Sequence, residues 1–146
     1  MNLDNAKTAK QNLIALLNSL NGTSLSEANV AFLDVEALVE QPTNTRVQVT
    51  PGSDPIFSGS DYLYYNRTSA PVQLASNVSI EVTVTADMTD EQMFTAAMAV
   101  FPLQDEEWRF VAAQKPIGSD RPGMLIISAN TDSLIYHGDY SFKLVL

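Results

Sequence analysis

Two groups of carboxylates come nearest to a reactive arrangement in this sequence. Asp87, Asp90 and Glu91 lie close together, and Asp105, Glu106 and Glu107 form a run. Paired carboxylates can share general acid and base roles or hold a calcium ion. Neither group follows the D-x-[DN]-x-[DN]-G spacing with which a calcium loop wraps its ion. The first group flanks the start of a helical pattern, where negative charge complements the helix dipole. The second reads as a solvated corner.

His137 is the only histidine. A catalytic histidine needs a nucleophile within reach and a second group to orient it. His137 stands before Gly138 in a turn-forming stretch and reads as a turn residue. No G-x-S-x-G, P-loop, H-E-x-x-H or G-x-G-x-x-G pattern occurs. The absence of cysteine removes disulfides, thiolate metal sites and thiol nucleophiles together. The sequence therefore points to no catalytic residue, no cofactor and no metal.

The tyrosines of "DYLYYN" are the remaining candidates. Side-chain alternation along a strand puts Tyr62 and Tyr64 on one face and Leu63 and Tyr65 on the other. Exposed, such a pair can stack on a sugar ring. Aromatic residues also enter strands because they pack well on a pleated surface, and that is the plainer reading.

These groups must be positioned by elements that the hydrophobic pattern marks out. From Asp4 to Leu20, Leu13, Leu16, Leu17 and Leu20 recur at helical spacing, with Ala6 and Ala9 on the same face. Asp4 favours the N-terminus and pairs by spacing with Lys7, and Asn21-Gly22 supplies a left-handed stop. Ser24-x-x-Glu27 resembles a capping box. The reading adopted there is a brief turn, then a strand from about Val30 to Glu36.

Beyond Pro42 the period changes to two. Val47 and Val49 alternate with Arg46, Gln48 and Thr50, and "PGSDPIFSGSD" is a loop before the tyrosine strand. "NVSIEVTVTAD" is the cleanest alternation in the chain. Thr89 and Gln92 then stand in capping-box spacing before the helical repeat Met93, Ala97, Val100 and Phe101, which Pro102 closes. "QDEEWRFVAA" fits either an extension of that helix or a strand. "KPIGSDRPG" is a loop, "MLIISA" and "YSFKLVL" are strands, and "SLIYH" fits a further one.

The pattern predicts an α+β fold that is mainly antiparallel β-sheet and sandwich-like, with an N-terminal amphipathic helix and a second short helix. It reads as a single domain over 1–146: a helix at about 4–20, a sheet region at about 30–86, a second helix at about 89–101 and C-terminal strands at about 124–146. The final strand carries Phe142, Leu144 and Leu146 on one face and reads as clamped within a sheet, since free termini fray. Its outer edge is also a place where a neighbour could add a strand.

Bulk composition narrows the partners. Hydrophobic residues make up 45% and charged residues 17%, so a real core can form. The formal charge of -9, with scattered basic residues, disfavours nucleic acid and anionic membranes. No apolar run approaches the ~18 residues of a membrane span, and "MNLDNAKTAK" shows no signal peptide. The sequons at Asn21, Asn66 and Asn77 therefore read as coincidences in a chain rich in Asn, Ser and Thr.

One stretch adds a resemblance. "IFSGSDYLYYNR" runs from an aromatic-Ser-Gly-Ser turn into a strand ending Tyr-Asn-Arg. With "LNSLNGTSL" after the first helix and the "DSLIYHGDYSFKLVL" hairpin, it resembles a small helix-plus-β-sheet (Ig-like or sandwich-like) structural protein of tailed-bacteriophage virions. Between Phe101 and Gly123 the chain departs from that pattern, with a tryptophan and prolines. The resemblance implies a non-enzymatic building block of the capsid decoration, neck, collar or tail. Its partners would be other virion proteins (major capsid, neck or tail subunits) and copies of itself on the particle. It would be made in the host cytoplasm. A carbohydrate-binding or adhesin-like module using Tyr62, Tyr64 or loop 51–61 is the alternative, and a small enzyme using acidic residues is the second.

Overall fold

The computed structural model describes residues 3–4, 6–68, 80–100 and 108–146. The chain divides into two compact units. The first comprises Met1–Arg67 with Thr131–Ile135, and the second comprises Thr68–Asn130 with Tyr136–Leu146. The fold class is α+β with mainly antiparallel sheet, an N-terminal amphipathic helix and a second short helix.

In the first unit, helix α1 spans Ala9–Asn21. It starts more than a turn later than the apolar spacing suggested, because Thr8 is the cap. The Thr8 hydroxyl accepts from the Gln11 amide at 3.1 Å, and the Gln11 side chain accepts from the Thr8 amide at 3.0 Å. This reciprocal pair satisfies two otherwise orphaned donors. Asp4 lies outside the helix and is tied to it by buried Asn12. The Asp4 amide donates to Asn12 Oδ1 at 2.7 Å, and Asn12 Nδ2 donates to the Asp4 and Thr8 carbonyls. The Asp4–Lys7 ion pair forms at 3.6 Å on the exposed surface, where it contributes little. Gly22 ends α1 at φ 63°, ψ 34°, the left-handed conformation that glycine reaches without steric cost.

The second capping box also differs from the expectation. Ser26 and Asn29 close it, with the Ser26 amide donating to Asn29 Oδ1 at 2.8 Å, and they bracket a single 3-10 turn at Glu27–Asn29. Strands β1 (Val30–Ala37), β2 (Thr45–Pro51) and β3 (Asp61–Tyr65) follow as an antiparallel sheet in the order β1-β2-β3. The loop after β2 returns to the 3-10 turn, where Gly52 donates to the Asn29 carbonyl at 3.0 Å. A Cβ on Gly52 would lie 2.5 Å from the Ala28 carbonyl oxygen, so only glycine fits this approach. Leu13 and Leu17 of α1 pack with Val30, Val47, Val49, Leu63 and Tyr65 of the sheet as one apolar core. The alternation expected for β2 and β3 holds: Val47, Val49, Leu63 and Tyr65 are buried, while Tyr62 and Tyr64 are exposed.

The second unit contains β4 (Glu81–Thr83), helix α2 (Asp90–Val100), β5 (Trp108–Gln114), β6 (Gly123–Ala129) and β7 (Asp139–Val145). The sheet order is β4-β7-β6-β5, with β4 parallel to β7 and the other pairs antiparallel. The closing strand is therefore internal. Phe142 pairs with Leu125 of β6, and Lys143 pairs with Glu81 of β4. β4 occupies the side on which a neighbour could have added a strand to β7, so that expectation is corrected. Leu146, expected to share the buried face of Phe142 and Leu144, lies past the strand and is exposed.

Two further sequence readings change and a third, left open between helix and strand, is resolved. The "NVSIEVTVTAD" strand is short: β4 covers Glu81–Thr83, and single backbone bonds from Lys143 to Ile80 and from Val84 to Val145 extend the pairing by one residue at each end. Residues 77–79 lie outside the described residues. "SLIYH" is no strand. Its first residues fold into the first unit, and Tyr136 makes an isolated bridge to Thr68. For "WRFVAAQ" the strand alternative holds, as β5. The α2 cap matches the expectation, with the Thr89 amide donating to the Gln92 side chain at 2.8 Å and the Gln92 amide to Thr89 Oγ1 at 3.2 Å.

Candidate interaction surface

The outer face of the first unit's sheet carries a polar-aromatic row whose order follows from strand register. Glu36 of β1 lies opposite Arg46 of β2, and Arg46 lies opposite Tyr64 of β3. A bulge between Leu33 and Glu36 sets this alignment. One extra residue in β1 exchanges the faces beyond it. Asp34, at φ 53°, sits in the bulge. Arg46 Nη2 approaches Glu36 Oε2 at 2.6 Å and Nε donates to the same oxygen at 2.7 Å. Those bonds, reinforced by the neighbouring Tyr64 hydroxyl, push the guanidinium above its ordinary range.

Arg46 also stacks. Its guanidinium carbon lies 4.5 Å from the centre of the Tyr62 ring, a cation–π distance. The Tyr62 and Tyr64 rings are 6.4 Å apart and inclined by 53°. They therefore form a tilted pair rather than a coplanar platform, with one face of Tyr62 occupied by arginine. Gln48, opposite Tyr62, donates to the Ser60 hydroxyl at 3.2 Å and links the row to the preceding loop.

Beside β3 runs a groove of about 880 Å³ between the end of α1 and the 56–60 loop. Leu17, Leu20, Ile56, Phe57 and Leu63 give it an apolar lining, and Asn21, Ser58 and Asp61 lie among the polar positions. Leu20, Ile56, Tyr62 and Tyr64 are 62%, 66%, 44% and 52% exposed, so an apolar surface faces outward around the groove. Asp61 accepts a hydrogen bond from the Tyr62 amide at 2.7 Å and covers one backbone donor of this edge strand.

The other sequence candidates are dispersed. Asp87 accepts from the Thr85 hydroxyl, which holds its carboxyl below the ordinary carboxylate range. Asp90 and Glu91 occupy the first turn of α2, as dipole complementation requires. Asp105, Glu106 and Glu107 lie outside the described residues. The His137 amide donates to the Thr68 carbonyl at 3.0 Å, and Gly138 follows at φ 79° in a turn. Asp34 and Asp132 share a separate cleft of about 480 Å³ in the first unit. Among the described residues no three acidic or histidine side chains converge in a way that could hold a metal ion. No described helix is long and apolar enough to cross a membrane.

A family model described as a family of unknown function, DUF7941, matches residues 2–146. The chain belongs to DUF7941. No curated protein and no solved structure matches the sequence. The DUF7941 match spans both compact units, so the groove-bearing first unit and the β7-centred second unit form parts of one family region.

The sequence marks Tyr62 and Tyr64 but not the residues that complete their surface. Alternation puts Arg46 on the polar face of its strand, yet its pairing with Glu36 depends on a bulge that composition does not announce. Helical spacing puts Leu20 on the apolar stripe of α1, and the groove leaves it exposed at the helix end.

Proposed function

We propose that this protein is a non-enzymatic structural component of a tailed-phage virion, acting through protein–protein contacts in a multicopy assembly. Its partners are other virion proteins (major capsid, neck or tail subunits) and copies of itself, and its location is the particle. The virion assignment rests on the resemblance of "IFSGSDYLYYNR", "LNSLNGTSL" and the closing hairpin. The contact role rests on one observation: the outward-facing apolar surface of Leu20, Ile56, Tyr62 and Tyr64 around the groove. Tyrosine and arginine are enriched at such interfaces because they combine large apolar area with a polar handle. An apolar patch without a partner is a liability for a freely diffusing protein.

The carbohydrate-binding alternative uses the same tyrosines. The tilt of the rings and the arginine on Tyr62 favour protein contact over a flat sugar platform. Incorporation into particles, measured by imaging with a Tyr62→Ser/Tyr64→Ser double variant, tests the reading. The expected result is loss of incorporation while the isolated variant keeps wild-type circular dichroism. Normal incorporation would remove this surface from the proposal. Glycan-array binding that disappears with Tyr62→Ala would favour the carbohydrate module instead.

A further inference from the structure

The chain contains a single Asn-Gly step, Asn21-Gly22, at the end of α1. An asparagine followed by glycine is chemically vulnerable because no side chain obstructs attack of the glycine nitrogen on the asparagine amide carbon. Nothing lies within 4 Å of where a Gly22 Cβ would be, so the space on that side of the glycine is open. The protection is conformational. The Gly22 amide donates to the Asn18 carbonyl, and Asn21 Nδ2 donates to the Leu17 carbonyl at 2.9 Å. Both reacting groups are thus held by different carbonyls of the last helical turn.

We infer that Asn21 is a spontaneous deamidation site whose conversion is gated by fraying of the last turn of α1. When that turn opens, Gly22 N loses its proton and bonds to Asn21 Cγ. The Cγ–Nδ2 bond breaks and ammonia leaves, giving a cyclic imide. Water then opens the imide at either carbonyl to give aspartate or isoaspartate. No oxidant or enzyme is required. The product cannot restore the turn, because a carboxylate has no hydrogen to donate to the Leu17 carbonyl. It also places negative charge at the negative end of the helix dipole. Isoaspartate further lengthens the backbone and removes the cap geometry. Conversion therefore loosens the end of α1 irreversibly and adds a charge beside the groove that Asn21 lines. The inference is independent of the function proposed above.

The test is incubation of the intact protein in mildly alkaline buffer with and without concentrated urea, followed by peptide mapping. In urea, Asn21 should convert before the other asparagines. In the folded protein its conversion should be slower by roughly tenfold or more, as local opening limits the reaction. Ser19→Gly loosens the exposed last turn without touching the reacting step. It should speed conversion of the folded protein several-fold and leave the rate in urea unchanged. Equal rates in the folded and unfolded protein, earlier conversion of another asparagine in urea, or no acceleration by Ser19→Gly would each overturn the inference.

Discussion

The Arg67 guanidinium donates through Nη1 to the Ser133 carbonyl, 3.0 Å away and 66 residues along the chain. The same nitrogen reaches the Thr131 carbonyl at 3.2 Å, and Nε donates to Thr45 Oγ1 at 3.0 Å. The Tyr65 hydroxyl donates to the Leu134 carbonyl at 2.7 Å. Residues 131–135 thus join the first unit through side chains at the end of β3, without forming a strand of its sheet. Arg67 is 6% exposed, and burial of a charge is tolerated only when hydrogen bonds replace its water.

Arg67→Ala takes this donor from the buried Ser133 carbonyl and should destabilise the protein by roughly 1.5–3 kcal/mol, the range for hydrogen bonds to charged groups. Arg67→Lys should recover only part of this, since an ammonium lacks the planar fork. Urea denaturation is the measurement. An unchanged midpoint for Arg67→Ala would show that this segment is held by other means.

Removal of Lys143–Leu146 takes away the half of β7 that pairs with β4 and includes buried Leu144. The truncated protein should lose the cooperative unfolding of its second unit, seen by circular dichroism and by amide exchange in β6. Retention of a native spectrum would contradict the internal placement of this strand.

Asp61 covers the Tyr62 amide on an edge strand that carries two exposed tyrosines. Asp61→Ala uncovers that donor and removes a charge that discourages edge pairing. Sedimentation should detect stronger self-association than in wild type, increasing with salt as repulsion among highly negative chains is screened. A strictly monomeric variant at every salt concentration would contradict this role.

Burial raises the Tyr140 phenol above its ordinary pKa, partly countered by the Ile80 amide that donates to it at 3.3 Å. Its folded pKa is higher than its unfolded one, so its contribution to stability is complete below the unfolded value. That contribution is lost as pH rises through the folded value. Asp87 has the opposite sign: its depressed pKa gives stability that falls away as pH drops through the acidic carboxylate range. Thermal melting against pH should therefore show Tyr140→Phe flattening the alkaline limb and Thr85→Val flattening the acidic limb. An alkaline limb unaffected by Tyr140→Phe would assign the loss to other groups.

The regular elements were legible where one periodicity ruled. Val47 and Val49 face the core, Leu63 and Tyr65 face it from the next strand, and the Thr89–Gln92 box starts α2. The start of α1 is not legible, because Ala6 continues the apolar spacing whereas the Thr8–Gln11 hydrogen bonds decide the boundary. "SLIYH" has the apolar character of a strand, but Ile135 and Tyr136 are buried outside the named strands, with an isolated bridge at Tyr136. Arg67 gave no sign of burial, since an isolated arginine normally belongs to the surface. At the candidate surface, the tyrosine face followed from alternation, while Glu36 reached Arg46 only through the β1 bulge. That is a matter of register, which one strand's sequence does not contain.

The parallel pairing of β4 with β7 bears on how the protein is made. Chains emerge from the ribosome N-terminus first, so Glu81 waits for Lys143, 62 residues later, before it has its partner. The first unit also waits, because Arg67 lacks its carbonyl acceptors until residues 131–135 have emerged. Neither unit can reach its final form as an early nascent fragment. The long closures required place this topology on the slow side of folding and leave apolar strand edges in need of shelter during synthesis.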